Sequence, residues 1–238
     1  MKNILSIILI FILSTGFFSG CKKDHGDPPV LPPQESMIID FSNFTSGKKS
    51  ADLLSDQKGT ENSSWEFAAT VAAVWKLLIT SSLAIPVTSF KLAFDQKPVY
   101  LDAKTWQWSY NASVASVSYK ARLTGQISTS DVLWEMYITE EGTGGFTEFL
   151  WIEGTSKLDG TGGQWILNQN PQTPVAMLQI DWTKTGTSIG SVTYTYVKND
   201  PFKSSYIEYG LTNAALNAYY TIKSVSYTHL TLPTKRIV

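Results

Sequence analysis

Thr105-Trp106-Gln107-Trp108-Ser109-Tyr110-Asn111-Ala112-Ser113 is the stretch that decides the fold. Trp106, Trp108, Tyr110 and Ala112 share one side of an extended chain, and Gln107, Ser109, Asn111 and Ser113 share the other. Successive Cβ atoms of a strand point to opposite faces, so this pattern buries one face and wets the other. The same period continues outward. Ala115, Val117, Tyr119, Ala121, Leu123 and Ile127 alternate with polar residues, as do Val132, Trp134, Met136 and Ile138. Ala176, Leu178, Ile180 and Trp182 repeat it, and Val192, Tyr194 and Tyr196 give it an aromatic face.

The links between these runs are short and rich in turn formers, at 128–131, 141–145, 159–163 and 184–188. Asp159-Gly160 suits positive φ and marks a hairpin. Short links force antiparallel neighbours, because parallel strands need a long crossover. Residues 105–197 therefore read as one mainly β, antiparallel up-and-down meander. The alternation leaves three closures open: a barrel, a partial barrel or a two-layer sandwich. Flanking strands are expected around 204–209 and 218–222.

Before the meander, Ser63 and Glu66 have capping-box spacing and predict one N-terminal helix over about 63–80. Phe67, Val71, Val74, Trp75 and Leu78 form its large face and four alanines its small one. A helix apolar nearly all round is expected to be buried, as a plug or cover for the sheet. Pro86 is expected to end the helical region, and Phe90, Leu92 and Phe94 then read as a strand. Residues 99–102 would be its short partner. A first strand is expected within 36–44, through Met37, Ile38, Ile39 and Phe41, followed by a polar loop over 45–62.

The N-terminus carries a targeting pattern. Lys2 precedes an apolar run at 4–18, and the small residues Ser19 and Gly20 follow. The next residue, Cys21, is the chain's one cysteine. Phe18-Ser19-Gly20-Cys21 resembles the lipobox of bacterial lipoproteins, with Phe18 where that family usually has an aliphatic residue. The resemblance implies a signal peptide over 1–20 and lipid attachment at Cys21, hence a chain anchored to the outer membrane on its periplasmic or surface face. Charged residues straight after the cysteine resemble the surface-export signals of Bacteroidetes lipoproteins. Residues 21–35 would be a lipidated tether, with the proline-rich 28–33 as a semi-rigid spacer. A single β-rich domain is expected over 36–224. The closing stretch from Val225 through Tyr227-Thr228-His229 to Val238 resembles translated sequencing adapter, which implies a non-native tail over 225–238.

Composition narrows the chemistry. Net charge is -1 over 238 residues, so no basic field points to nucleic acid. The two histidines are His25, in the tether, and His229, in the closing stretch. With Cys21 acylated, the folded body lacks the groups for Ser–His or Cys–His catalysis and for ordinary zinc sites. The glycine-rich runs at 142–145 and 160–163 are hairpin turns with no helix behind them to bind an anion. No spacing of acids for calcium is present. No metal or cofactor is expected, and the chain reads as a non-enzyme.

Two sets of candidates remain. Trp106, Trp108, Tyr110, Trp134, Trp182, Tyr194 and Tyr196 fall on apolar faces, and a ring-lined cavity among them would bind an apolar small molecule. Tyr137, Trp151 and Trp165 are expected outside, where rings could stack on a glycan. Glu148 shares a side with Phe146, Leu150 and Ile152, and Glu208 accompanies Tyr206; an inward carboxylate among apolar groups could serve as a general acid. Three functions follow: a ligand-binding lipoprotein, favoured; a structural or assembly subunit docking an envelope protein partner; and a carboxylate-based hydrolase.

Overall fold

The computed structural model describes residues 25–39, 61–211, 218–225 and 227–234, with backbone alone at 61–69, 218 and 227–234. The expected signal peptide over 1–20, Cys21, Phe41 and residues 45–60 of the loop expected over 45–62 lie outside the described residues, and 61 and 62 are helical. The fold is mainly β, as the alternation predicts. Eleven strands pair strictly with their sequence neighbours in one antiparallel sheet. They are β1 (Val99–Tyr100), β2 (Thr105–Val114), β3 (Val117–Ile127), β4 (Asp131–Glu140), β5 (Phe149–Lys157), β6 (Gly162–Asn170), β7 (Thr173–Thr185), β8 (Ser188–Tyr196), β9 (Tyr206–Leu211), β10 (Ala218–Ser224) and β11 (Tyr227–Thr234). The sheet does not close, and β1 and β11 are its edges. Residues 227–234, expected as tail, pair with β10 through backbone groups. An exposed strand edge offers such pairing to any extended segment.

Registers line the inner face into continuous rows. One runs Trp106–Gly125–Trp134–Gly154–Trp165–Ile180–Tyr194–Ile207–Ile222 across β2 to β10. Tryptophans alternate with glycines along its first half, and each missing Cβ leaves room for an indole from the next strand. A Cβ on Gly125 would lie 2.6 Å from Trp134 Cζ3, and one on Gly154 2.6 Å from Trp165 Cε3. A parallel row begins Trp108–Leu123–Met136–Ile152–Leu167–Leu178 and ends at Tyr196. Every strand from β2 to β10 buries residues of its inner face. Nine flat strands would span about 40 Å, whereas one helix covers about 10–12 Å. The sheet must therefore curl around what covers it.

Two elements cover it. The first is α1 (Glu61–Leu92), one 32-residue helix with Pro86 inside it. Ala72, Trp75, Ile79, Leu83, Pro86, Phe90 and Ala93 are buried at spacings of three and four, which is one helical stripe. The second is a strap, residues 29–39, with a 3-10 turn at Gln34–Met37. Pro29, Pro32, Ser36, Met37 and Ile39 are buried. Trp165 Nε1 donates to Ser36 Oγ at 3.1 Å, and Tyr194 Oη donates to the Met37 carbonyl.

Several expectations change. Ser63 and Glu66 lie inside α1, which is already helical from Glu61, so they do not form its cap. Pro86 does not end the helix. Phe90 and Leu92 form its last turn, and Phe94 sits in a 3-10 turn (Ala93–Asp95). Three apolar residues at alternate positions are too few to separate the two periods, and burial of Phe90 in the stripe decides for helix. β1 consequently pairs with β2. Residues 36–39 form a turn and an unpaired extended segment, and no strand. The helix is buried along one stripe only: Val74 and Leu77 are 62% and 71% exposed. At this length 70–95 is apolar enough to cross a bilayer by composition. Its packing on the sheet accounts for that apolarity on the buried side. The proline-rich 28–33 does not stand free as a spacer, because Pro29 and Pro32 are buried against the body.

Candidate functional site

The strands give the molecule two rims. The lower rim holds the turns at 101–105, 128–131, 157–162 and 185–188. The upper rim holds those at 114–117, 140–149, 170–173 and 196–206. The lower turns are tight: Gly160 has φ +68°, and Asp159 Oδ1 accepts the Thr161 N–H at 2.9 Å. The Thr161 hydroxyl, donating to the same oxygen at 2.7 Å, and then that backbone bond hold the Asp159 carboxyl below the usual carboxylate range.

Five of the seven aromatic residues expected to line a cavity lie under cover. Trp106, Trp108, Trp134, Trp182 and Tyr194 all face inward, but α1 and the strap cover them and they are buried. Trp134 Nε1 donates to Ser156 Oγ at 2.9 Å. Burial drives the phenols of Tyr110 and Tyr194 far above their ordinary pKa, so both stay neutral. Tyr196 is half-buried at the upper rim, where its hydroxyl donates to Asp200 Oδ2 at 2.7 Å. Desolvation first, then that bond and the Asp200 charge, push its pKa up to about 12. It lines an apolar groove of about 320 Å³ with Val71, Val74, Trp75, Leu78 and Phe202.

The expected outward rings also move. Trp165 is 1% exposed and Trp151 is 6% exposed, so neither offers a face to a surface glycan. Tyr137 is on the outer face, with the Arg122 guanidinium 4.2 Å from its ring centroid. The carboxylates are accounted for as well. Glu148 sits at φ +49° in the irregular entry to β5, with its amide held by Thr139 Oγ1 at 2.9 Å. That twist turns its side chain to the surface, where Arg122 donates to it through Nε at 3.0 Å and through Nη2. It is thus ion-paired on the outside, away from the apolar interior a raised general acid requires. Glu208 accepts the Tyr219 hydroxyl at 2.6 Å. Among the described residues no three His, Cys, Asp or Glu side chains converge as metal ligands.

What the alternation missed is a polar cleft of about 560 Å³ at the upper rim. Ser81, Ser82 and Ile85 of α1 form one wall. Glu140 ends β4, Phe146 lies in the β4–β5 connection, Trp151 in β5, and Gln169 to Gln172 span the end of β6 and the turn into β7. Bulges build it. The β4–β5 register shifts after Met136, which leaves Trp151 buried beside Ile152. The β6–β7 register shifts twice around Asn168, whose Nδ2 donates to the Leu150 carbonyl at 2.9 Å. Bulges commonly re-aim side chains in this way at barrel rims. Phe146, Phe149 and Trp151 meet edge to face, with centroids 5.3 to 6.1 Å apart. Two residues that line the cleft carry a buried, unpartnered polar atom beneath its surface: the donor Trp151 Nε1 and the acceptor Gln169 Oε1. The sequence signal for this site was negative, a run at 146–152 where alternation breaks.

Comparison with protein-family models, curated proteins and solved structures returned no match.

Proposed function

We propose that this chain is a cell-envelope lipoprotein, anchored to the outer membrane through Cys21, whose β domain binds a polyhydroxylated, glycan-type ligand in the upper-rim cleft. The observation that carries the ligand class is the pair of unpartnered polar atoms just beneath the cleft surface, Trp151 Nε1 and Gln169 Oε1. A buried polar group left unpaired costs about 1–3 kcal/mol. An apolar ligand would leave both unpaired. A hydroxyl both donates and accepts, so a sugar can satisfy either atom once the Trp151 and Gln169 side chains turn toward it. Ser81, Ser82, Asn170 and Gln172 add further partners, Glu140 adds a charged acceptor, and Phe146 adds a ring. Small-molecule sites combine apolar surface with a few convergent polar groups in this way. The signal segment and the lipobox resemblance supply the location.

Binding without turnover is the better reading. Glu148, the leading acid for a hydrolase, is taken by Arg122 on the outer face. The test is titration of the domain with neutral, acidic and amino sugars, followed by tryptophan fluorescence. Saturable binding that Gln169→Ala and Phe146→Ala weaken at least tenfold supports the proposal. Saturable binding of apolar probes alone, unaffected by those substitutions, overturns it.

A further inference from the structure

The strap and the lower rim together define how the domain sits on its membrane. The His25 ring stacks on Tyr100 of β1, with centroids 3.9 Å apart and planes 14° from parallel. Tyr100 itself packs edge-on against Trp106, at the start of β2. Residues 22–24 are all that separates His25 from Cys21. Four Cα-to-Cα steps reach at most about 14 Å. Acyl chains on Cys21 therefore enter a bilayer within about 14 Å of the lower rim. Strands of ten residues hold the upper rim about 33 Å further away, beyond that reach.

The lower rim is furnished for such contact. Val99 and Leu101 are 63% and 48% exposed beside the stacked histidine, Leu158 is 49% exposed on the next-but-one lower turn, and Leu211 ends β9 on the same rim. Charge there is nearly balanced: Lys97, Lys104 and Lys157 alternate with Asp95, Asp102 and Asp159, all exposed. Among the described residues no strong field of either sign opposes approach or demands anionic headgroups. We infer that the lower rim rests on the bilayer that holds the anchor, with Val99, Leu101 and Leu158 at its interface and the cleft facing away. The upper rim also exposes apolar groups, Val74, Leu77 and Phe202, and the short link from Cys21 to His25 is what chooses between the two ends. The inference rests on the lipoprotein reading above.

The test uses the full lipidated chain in vesicles of neutral phospholipid. Leu101→Cys and Leu158→Cys report on the lower rim, and Val74→Cys and Val175→Cys on the upper, each labelled with an environment-sensitive dye. Doxyl lipids should quench the lower pair at least threefold more than the upper pair. Quenching at position 74 with 101 and 158 in water, on protein that floats with the vesicles, overturns the orientation and leaves the anchor standing. Flotation equal to that of Cys21→Ala would remove the anchor, and the orientation with it.

Discussion

Trp165 Nε1 donates to Ser36 Oγ across 129 residues of chain, joining the strap to the sixth strand of the sheet. Both side chains are buried, at 1% and 0% exposure. The bond places the N-terminal strap inside the β domain, between the concave face and α1. Ser36→Ala leaves an indole N–H unpaired in the core, at a cost of about 1–3 kcal/mol. Urea titration should show a lower midpoint at unchanged slope. Ser36→Ala on a Trp165→Phe background should cost at least about 0.5 kcal/mol less, since the orphaned donor is gone.

The glycine–tryptophan row makes a second prediction. Gly125→Ala places a methyl 2.6 Å from Trp134 Cζ3. Overpacking of this kind costs about 1–3 kcal/mol. Gly154→Ala should cost more, because its methyl would meet the Gln164 carbonyl at 2.3 Å, which is backbone and cannot rotate away. The penalty at Gly125 should shrink when Trp134 is replaced by Leu, and thermal unfolding of the four variants measures it. An unchanged penalty would show that the row does not pack as described.

Alkaline stability follows from the raised phenols. A tyrosine whose folded pKa exceeds its unfolded value of about 10 contributes stability below pH 10 and loses it as pH rises through the folded value. Tyr196 and Tyr219 are pushed up to about 12, the latter mainly by its bond to Glu208, and Tyr194 is raised further by burial. Stability should therefore fall from pH 10 upward. Each fully buried phenol adds a limiting slope of about 1.4 kcal/mol per pH unit. Tyr194→Phe should flatten the curve between pH 10 and 12 by about that slope, at a fixed cost near 1 kcal/mol for the orphaned Met37 carbonyl.

The outer ion pair separates binding from catalysis. Glu148→Gln breaks an exposed pair with Arg122, and such pairs are worth about 0–1 kcal/mol. Midpoint and sugar affinity should both stay close to the parent protein. A hydrolytic activity abolished by Glu148→Gln with the fold intact would contradict the binding reading.

The sheet was legible because period-two alternation is long and repeated: the strand faces holding Trp106, Trp134 and Ile180 read directly from sequence. α1 was half legible. Its stripe through Trp75 and Ile79 continues past Pro86 to Phe90, but proline and three alternating apolar residues together imitated a helix stop and a strand. The strap was read as a tether because polyproline composition says how stiff a segment is and nothing of what it packs on. The seven rings were placed on the correct face, and their burial depended on Met37 and α1 filling the concavity, which no local pattern encodes. The cleft was illegible for a related reason. Trp151 and Gln169 reach it through bulges, and a bulge breaks the period by which strands are read.

The most direct measurement is native mass spectrometry of the domain from His25 onward, purified without detergent and titrated with the same sugars. A glycan-binding cleft should give a discrete 1:1 saccharide adduct that disappears on denaturation and is lost in Gln169→Ala. An unliganded mass with every sugar, alongside a stable adduct with an apolar molecule, would contradict it.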